Sequence, residues 1–506
     1  MILDANKLEN ESIFFGDLCI VGSGIAGSFL GYLLMNIKKK IVIIEKGNDS
    51  DRVEIGERLI LDSKNKSISV AEERHYKLGG LGSVWGGQLA EFTEADIKKN
   101  FWGLEYSELI GFYEKIYNFF EIPKKNFIQN NIPVELDKEL KFYHTVFLKK
   151  PDIYKYFKNE FEKSKSVFIL KNLSATNIIF EDKNATILEC QSKNKKKISI
   201  KANQFVLTMG TIENNRFFLN ARQSSKKSPF KDNENIGQHF HDHIGFRAGK
   251  LQSLNKIFLS NFENKIFKSF VFQPKIVNII NSDKNKIAVS AQVLFDINDE
   301  NILYAKQKVK EFINSKTMSN AFKLIKKPMV LKKILNMYIY SLFTGRIKTF
   351  NPSCEIFFQS EQTINKNSKI FIPKLESKVE EDGLKKVKIN WKINESDFND
   401  IRNFTKKLSV FFKKNFDIDF VPSHFLEKDD LFYRNLSHTN HPCGGLIISK
   451  NKKEGVCDKN MKVWDTNNLF VNGASTFPNS SFANTGLTIL AMTYRLSIIL
   501  KKIKTI

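Results

Sequence analysis

The sequence has little of what would fasten a chain from outside its own core. Five cysteines, Cys19, Cys190, Cys354, Cys443 and Cys457, are scattered, and none forms a CxxC pair. That excludes a disulfide framework and a zinc ribbon and makes a reducing compartment the default. No stretch reaches the roughly 18 uninterrupted apolar residues of a membrane span. The first residues, MILDANKLENESIFFGDLCIVG, start acidic and hold no apolar run before a cleavage-like site, so they do not read as a secretory signal. A cytoplasmic location is the expectation.

Acidic residues are also scarce relative to basic ones. Lys and Arg number 79 against 55 Asp and Glu, a net charge of +24. Such a charge suits an anionic partner: nucleic acid, a membrane surface or a phosphorylated substrate. The lysines, however, are spread along the chain among many asparagines, which composition alone explains, so no nucleic acid is expected. One stretch stands apart. Residues 302–348 hold eleven Lys or Arg and a single acid, Glu311, among Phe, Ile, Leu and Tyr. They read as basic amphipathic helices, a lid or a peripheral membrane contact, with a solvated helical face as the plainer explanation.

What is present is organised. The 506 residues suffice for two or more domains with a large core. The segment DLCIVGSGIAGSFLGYLLMNIKKKIVIIEKG reads as buried strand, glycine turn, helix and second strand ending in Glu45. Gly22 permits the tight turn, Gly24 lets backbone approach a pyrophosphate, and Gly27 lets helix and strand pack closely. The helix N-terminus offers free N–H groups and a dipole to phosphates. Glu45 suits ribose hydroxyls and points to FAD or NAD rather than NADP.

Three further glycine-bearing segments follow. RHYKLGGLGSVWGGQL places Gly79, Gly80, Gly82, Ser83, Trp85, Gly86 and Gly87 in a loop that can lie against a flat or charged ligand. A tight turn is the structural alternative, but a tryptophan inside the loop argues for a packed site. FVLTMGTIENNRFFL reads as a strand ending at Gly210 and a helix, which returns the chain to the same parallel sheet. NLFVNGASTFPNSSFANTGLTILAMTYRLSIIL reads as a strand, a turn through Asn472, Gly473 and Ala474, and a long helix beginning near Asn484 and Thr485.

In this order, these segments resemble the glucose–methanol–choline (GMC) family of FAD-dependent oxidoreductases. LGGLGSVWGG, NIGQHFHDH, HPCGG and FANTGLTILAM strengthen the resemblance, and LGGLGSVWGG looks nearest to bacterial members linked to sugars. The resemblance implies an α/β fold: a Rossmann-type FAD-binding domain with a second, α+β substrate domain built on an antiparallel sheet. Residues 1–125, 160–245 and 435–506 would form the first, and 126–159 with 246–434 the second.

The resemblance also implies a reaction. A CH–OH group of a sugar, polyol or other alcohol gives its hydride to flavin N5 while a histidine takes the hydroxyl proton. The histidine belongs to an H-x-x-G-G pattern, which His441 fits and His438 does not. His441 is thus the expected base and His438 a supporting residue. Asn484 takes the partner position, where an amide can fix the substrate oxygen; it is also a natural helix cap. Thr485 stands where the family usually has proline. Val84 occupies the place of the histidine that binds FAD covalently in some members, so non-covalent FAD is expected. His239, His241 and His243 alternate as metal ligands might, but the chemistry needs no metal and Asp242 and His243 are expected to be structural. The electron acceptor is not identified. An FAD-dependent RNA-modifying or RNA-binding protein would account for the charge, and a scaffold with a vestigial FAD site for the fold. Neither accounts for a filled pair at His441 and Asn484.

Overall fold

The computed structural model of the protein describes residues 1–37, 39–49, 54–55, 60–63, 66–69, 74–123, 139–224, 228–278, 283, 285–297, 299–300, 302–305, 307–308, 327–349, 352–373 and 378–503.

The apolar run at Leu18–Val21 ends the strand Ser12–Val21 and is buried, as an inner parallel strand requires. This strand lies between Ile41–Glu45 and Lys197–Leu207, parallel to both. Outward on one side come Val167–Lys171 and Ile2–Asp4, also parallel. On the other side Asn184–Ser192 and Leu173–Glu181 add antiparallel strands, while Leu469–Val471 runs parallel to Phe205–Leu207. The parallel strands therefore share one carboxyl edge. Gly22, Glu45, Gly210 and Asn472 meet there because each ends or closely follows one of them. The helix Ile25–Leu34 buries Phe29, Leu30 and Leu34 and packs on the last helix, Gly486–Lys502.

A second, antiparallel sheet runs Asp419–Pro422, Ile244–Gln252, Pro352–Ser360, Val289–Ile297, Phe270–Asn278, Leu140–Phe147 and Gln88–Leu89. The helix Glu395–Phe416 covers it with Phe398, Ile401, Phe404, Leu408 and Phe412, spaced at helical period. Strand alternation sorts the two faces. Phe358 meets Phe404 with ring centroids 5.2 Å apart, whereas its neighbour Gln359 turns to the opposite face and reaches Asn484.

Two features were not anticipated. Gln88–Leu89 and Ser437–His438, from segments assigned to the first domain, pair into the second sheet. A third sheet orders Cys443–Gly445, Gln238–His241, Lys369–Phe371, Lys388–Asn390, Ile60–Ser63 and Lys66–Ser69. Such short pieces from distant segments carry no periodic signal of their own. Of the basic 302–348 stretch, Pro328–Thr344 is helical, and residues 309–326 lie outside the described residues. Among the described residues, no helix is long and apolar enough to cross a membrane.

Candidate functional site

A cavity of about 820 Å³ opens along the carboxyl edge of the parallel sheet and ends against the second sheet. That size suits a large organic cofactor with part of its substrate. Gly22, Gly24, Glu45, Gly80, Gly82, Trp85, Gly86, Gly210, Asn472, Gly473, Ala474, His441, Asn484 and Thr485 all line it, although they come from five separated segments.

Three expected cofactor residues stand behind the wall. Gly27 acts through packing: a Cβ there would lie 1.9 Å from the Gly22 carbonyl oxygen, so only glycine lets the helix start so near the turn. Gly79 donates its N–H to Ser23 Oγ at 3.1 Å and joins the two glycine loops. Ser83 donates to the Gly80 carbonyl at 2.8 Å and so stabilises its own turn instead of facing the cavity.

The wall fits FAD. A Cβ added at Gly86, Gly210 or Gly473 would meet nothing within 4 Å, so at three places bare backbone faces open space. Asn472 is fully buried, and its Oδ1 has no hydrogen-bond partner among the described residues. Glu45 is held by the Ser23 N–H and hydroxyl on Oε2, at 3.0 and 2.8 Å, and by the Gly47 N–H on Oε1, at 2.9 Å. Each oxygen keeps acceptor capacity for a ribose hydroxyl. Burial raises the Glu45 carboxyl above the usual range, with those hydrogen bonds and Lys46 opposing. Trp85 donates to the Pro151 carbonyl at 2.6 Å, and its ring edge fills the space where a side chain at Gly486 would sit. Bound FAD would rest on these glycine loops, with Glu45 toward its ribose and Trp85 near the far end.

An ion network that the sequence did not disclose borders the Glu45 end. Arg74 contacts Glu213 at 2.7 Å and Glu380 at 2.8 Å; Arg216 contacts Asp382 at 2.7 Å, and Lys46 reaches Asp382 at 2.8 Å. Burial alone would raise the Glu213 carboxyl, but Arg74 and Arg216 bring it down to about 2. The network pins residues 380–385 onto the helix Gly210–Ser224.

At the other end, His441 and Asn484 both line the cavity. Asp242 Oδ1 accepts the backbone N–H of His441 at 3.1 Å and that of His243 at 2.6 Å. Thr439 Oγ1 lies 2.9 Å from His441 Nδ1. The His243 ring packs on His441 with centroids 4.9 Å apart, and its Nε2 reaches the Ser480 carbonyl at 3.1 Å. Burial, then the charges of His243 and Lys275, hold His441 well below the ordinary histidine range. Its imidazole is therefore neutral at pH 7.

The Asn484 side chain is oriented from both sides. Its Oδ1 accepts from Gln359 Nε2 at 2.8 Å, and its Nδ2 donates to Gln88 Oε1 at 2.8 Å. Gln88 in turn donates to Gln273 Oε1 at 2.7 Å and Thr145 Oγ1 at 2.8 Å. Among the described residues, one N–H of the Asn484 amide is left over. Asn484 is not the helix cap: the helix Gly486–Lys502 is capped at Thr485.

His438 stands back, its Nδ1 4.0 Å from Asp242 Oδ2. His241 ends the strand Gln238–His241 and turns Nδ1 to the His239 carbonyl at 2.8 Å, whereas His243, beyond that strand, turns Nε2 to the Ser480 carbonyl. Among the described residues, no group of three or more His, Cys, Asp and Glu is arranged to hold a metal ion. Gln88, Gln359, Thr439 and Lys275 were missed. Gln88 and Thr439 lie inside segments already singled out; Gln359 and Lys275 lie in strands whose sequence gives no sign of the site.

Residues 374–493 match the C-terminal GMC oxidoreductase family model. No curated protein sequence is significantly similar to the chain. Among solved structures, a formate oxidase of Aspergillus oryzae RIB40 superposes with a TM-score of 0.62 at 14% identity, over 98% of this chain and 99% of that one. Pyridoxine 4-oxidase from Mesorbium loti gives 0.60 at 13% identity, over 97% and 100%. At these identities the likeness establishes the shared fold.

Proposed function

From the match of residues 374–493 to the GMC oxidoreductase family we propose that the chain is an FAD-dependent oxidoreductase of that family, oxidising a CH–OH group with His441 as the base. The observation that carries this reading is that His441 and Asn484 line the same cavity whose other wall fits FAD. Bound FAD supplies the acceptor for the hydride. The protein's residues handle the proton and the geometry. Thr439 takes the Nδ1–H of His441, which leaves Nε2 bare to accept the hydroxyl proton. The unused N–H of Asn484 points the substrate oxygen at that nitrogen, and the Gln88–Asn484–Gln359 chain holds it in place. A sugar, polyol or other alcohol suits a cavity edge with so many amides.

A second reading of the substrate draws on Lys275. It is 3% exposed, among the described residues it makes no ion pair, and its charge is felt by both His243 and His441. Gln273, two residues earlier on the same strand face, reaches the Gln88 that holds Asn484. A buried unpaired ammonium there favours a hydroxy acid over a neutral alcohol.

The test is anaerobic bleaching of the flavin by a panel of sugars, polyols, simple alcohols and hydroxy acids. The base role predicts that His441→Ala keeps its FAD but bleaches about 10²- to 10⁴-fold more slowly. Equal rates in mutant and wild type remove His441 from the role. Hydroxy acids that bleach no faster than their neutral counterparts remove the second reading.

A further inference from the structure

The helix Pro328–Thr344 is built inside out. It starts with proline in its first turn and stops at Gly345, whose φ of 64° closes the end, so both termini are specified locally. Two of its polar side chains face the protein: Lys333 pairs with Asp299, and the Tyr340 hydroxyl donates to Glu263 at 2.7 Å. Val330 is its only buried residue. The opposite face is apolar. Leu331, Ile334, Leu335, Tyr338, Leu342 and Phe343 follow the i, i+3, i+4, i+7 spacing of one stripe. Leu335 is 56% exposed, Leu342 64% and Phe343 86%. Isolated exposed apolar residues need no explanation, but a continuous stripe does.

Charge selects the occupant. The helix contains no acidic residue; Lys332 lies within it, and Lys327, Arg346 and Lys348 flank it. A second copy of the chain would bring the same cations against these. A lipid surface bearing anionic headgroups neutralises them while its acyl boundary takes the apolar stripe. We propose that the helix Pro328–Thr344 seats the protein on an anionic membrane surface, lying in the interface plane with Leu335, Leu342 and Phe343 inserted. The helix has 17 residues, and no helix among those described can span the bilayer, so the attachment is peripheral.

The experiment uses the full-length, flavin-loaded protein and sedimentation with vesicles of phosphatidylcholine alone or mixed with phosphatidylglycerol. Wild type is expected to sediment with the mixed vesicles. Leu335→Glu with Leu342→Glu should weaken that binding by roughly tenfold or more, with flavin absorbance and alcohol-driven bleaching unchanged. Tyr338→Trp should show a blue-shifted emission on the same vesicles. Absence of sedimentation overturns the proposal. So does equal binding of the double variant, which would assign the attraction to the general positive charge. A vesicle-free dimer that the double variant abolishes would assign the stripe to a second copy and overturn it too.

Discussion

Asp242 Oδ1 accepts the backbone N–H of His441 at 3.1 Å. The same oxygen accepts from His243 and, at 3.4 Å, from Thr439, so one buried carboxylate gathers three backbone donors around the proposed base. Thr439 then holds the imidazole itself. Asp242 thus acts on the reaction through position, without touching substrate.

Asp242→Ala should lower the rate of flavin reduction on the order of 10²-fold, the cost of a displacement near 1 Å at a reacting group. Bound FAD should be retained, because Asp242 does not line the cavity. Asp242→Asn, which keeps an acceptor oxygen, should recover part of the loss. Single-turnover reduction at saturating substrate measures this, and a change confined to KM would refute it.

Gly27→Ala should cost FAD binding more than folding. Its Cβ would sit 1.9 Å from a backbone oxygen of the phosphate-facing turn, so the turn must move. Overpacking of this kind costs about 1–3 kcal/mol. Purified variant should carry substoichiometric flavin, read from the ratio of visible to protein absorbance. A full complement of flavin would count against it.

The charge of Lys275 opposes protonation of His441, after burial and His243. The base works when neutral, so activity falls as pH drops through its pKa, below the ordinary histidine range. Lys275→Met removes one opposing charge and should move the acidic limb of kcat/KM upward. The limb should stay below 6.5, since burial is the larger cause. A pH profile of flavin reduction checks both statements, and an unmoved limb would exclude the coupling.

His241 and His243 are brought down to about 3 and about 4, each chiefly by burial. Between those values and the unfolded histidine range, the unfolded chain binds more protons than the folded one. Stability therefore falls as pH drops from about 6.5 toward about 4. Thermal melting across this window should show a falling Tm. His243→Asn should flatten the slope if the variant folds, and the wild-type curve alone tests the sign.

Much of the cofactor wall was legible in the chain because each of its parts is local. A buried strand, a glycine at a tight turn and a helix start occupy adjacent residues, so Gly22, Gly24 and Glu45 announce themselves. Only the family resemblance, through its H-x-x-G-G pattern, set His441 apart from His438 as the expected base. Ser83 misled because a serine in a glycine loop looks free to face a ligand, whereas its hydroxyl bonds to its own turn. Asn484 carried two readings, and register decided against the cap by one residue.

The rest depends on contacts between residues far apart in the chain. Gln88 and Asn484 are 396 residues apart and share a hydrogen bond; Arg74 and Glu380 are 306 apart and share an ion pair. No local pattern specifies such partners, because a glutamine or arginine has the same propensities whether or not a partner awaits it. The helix Pro328–Thr344 shows the same division. Its composition and period are written in the residues, but which face turns outward follows from Asp299 and Glu263 holding its polar side. Short-range stereochemistry thus determines the glycine turns and the strands. Packing of distant segments decides the amide chain around Asn484, the ion network over the cavity and the apolar stripe left open to its surroundings.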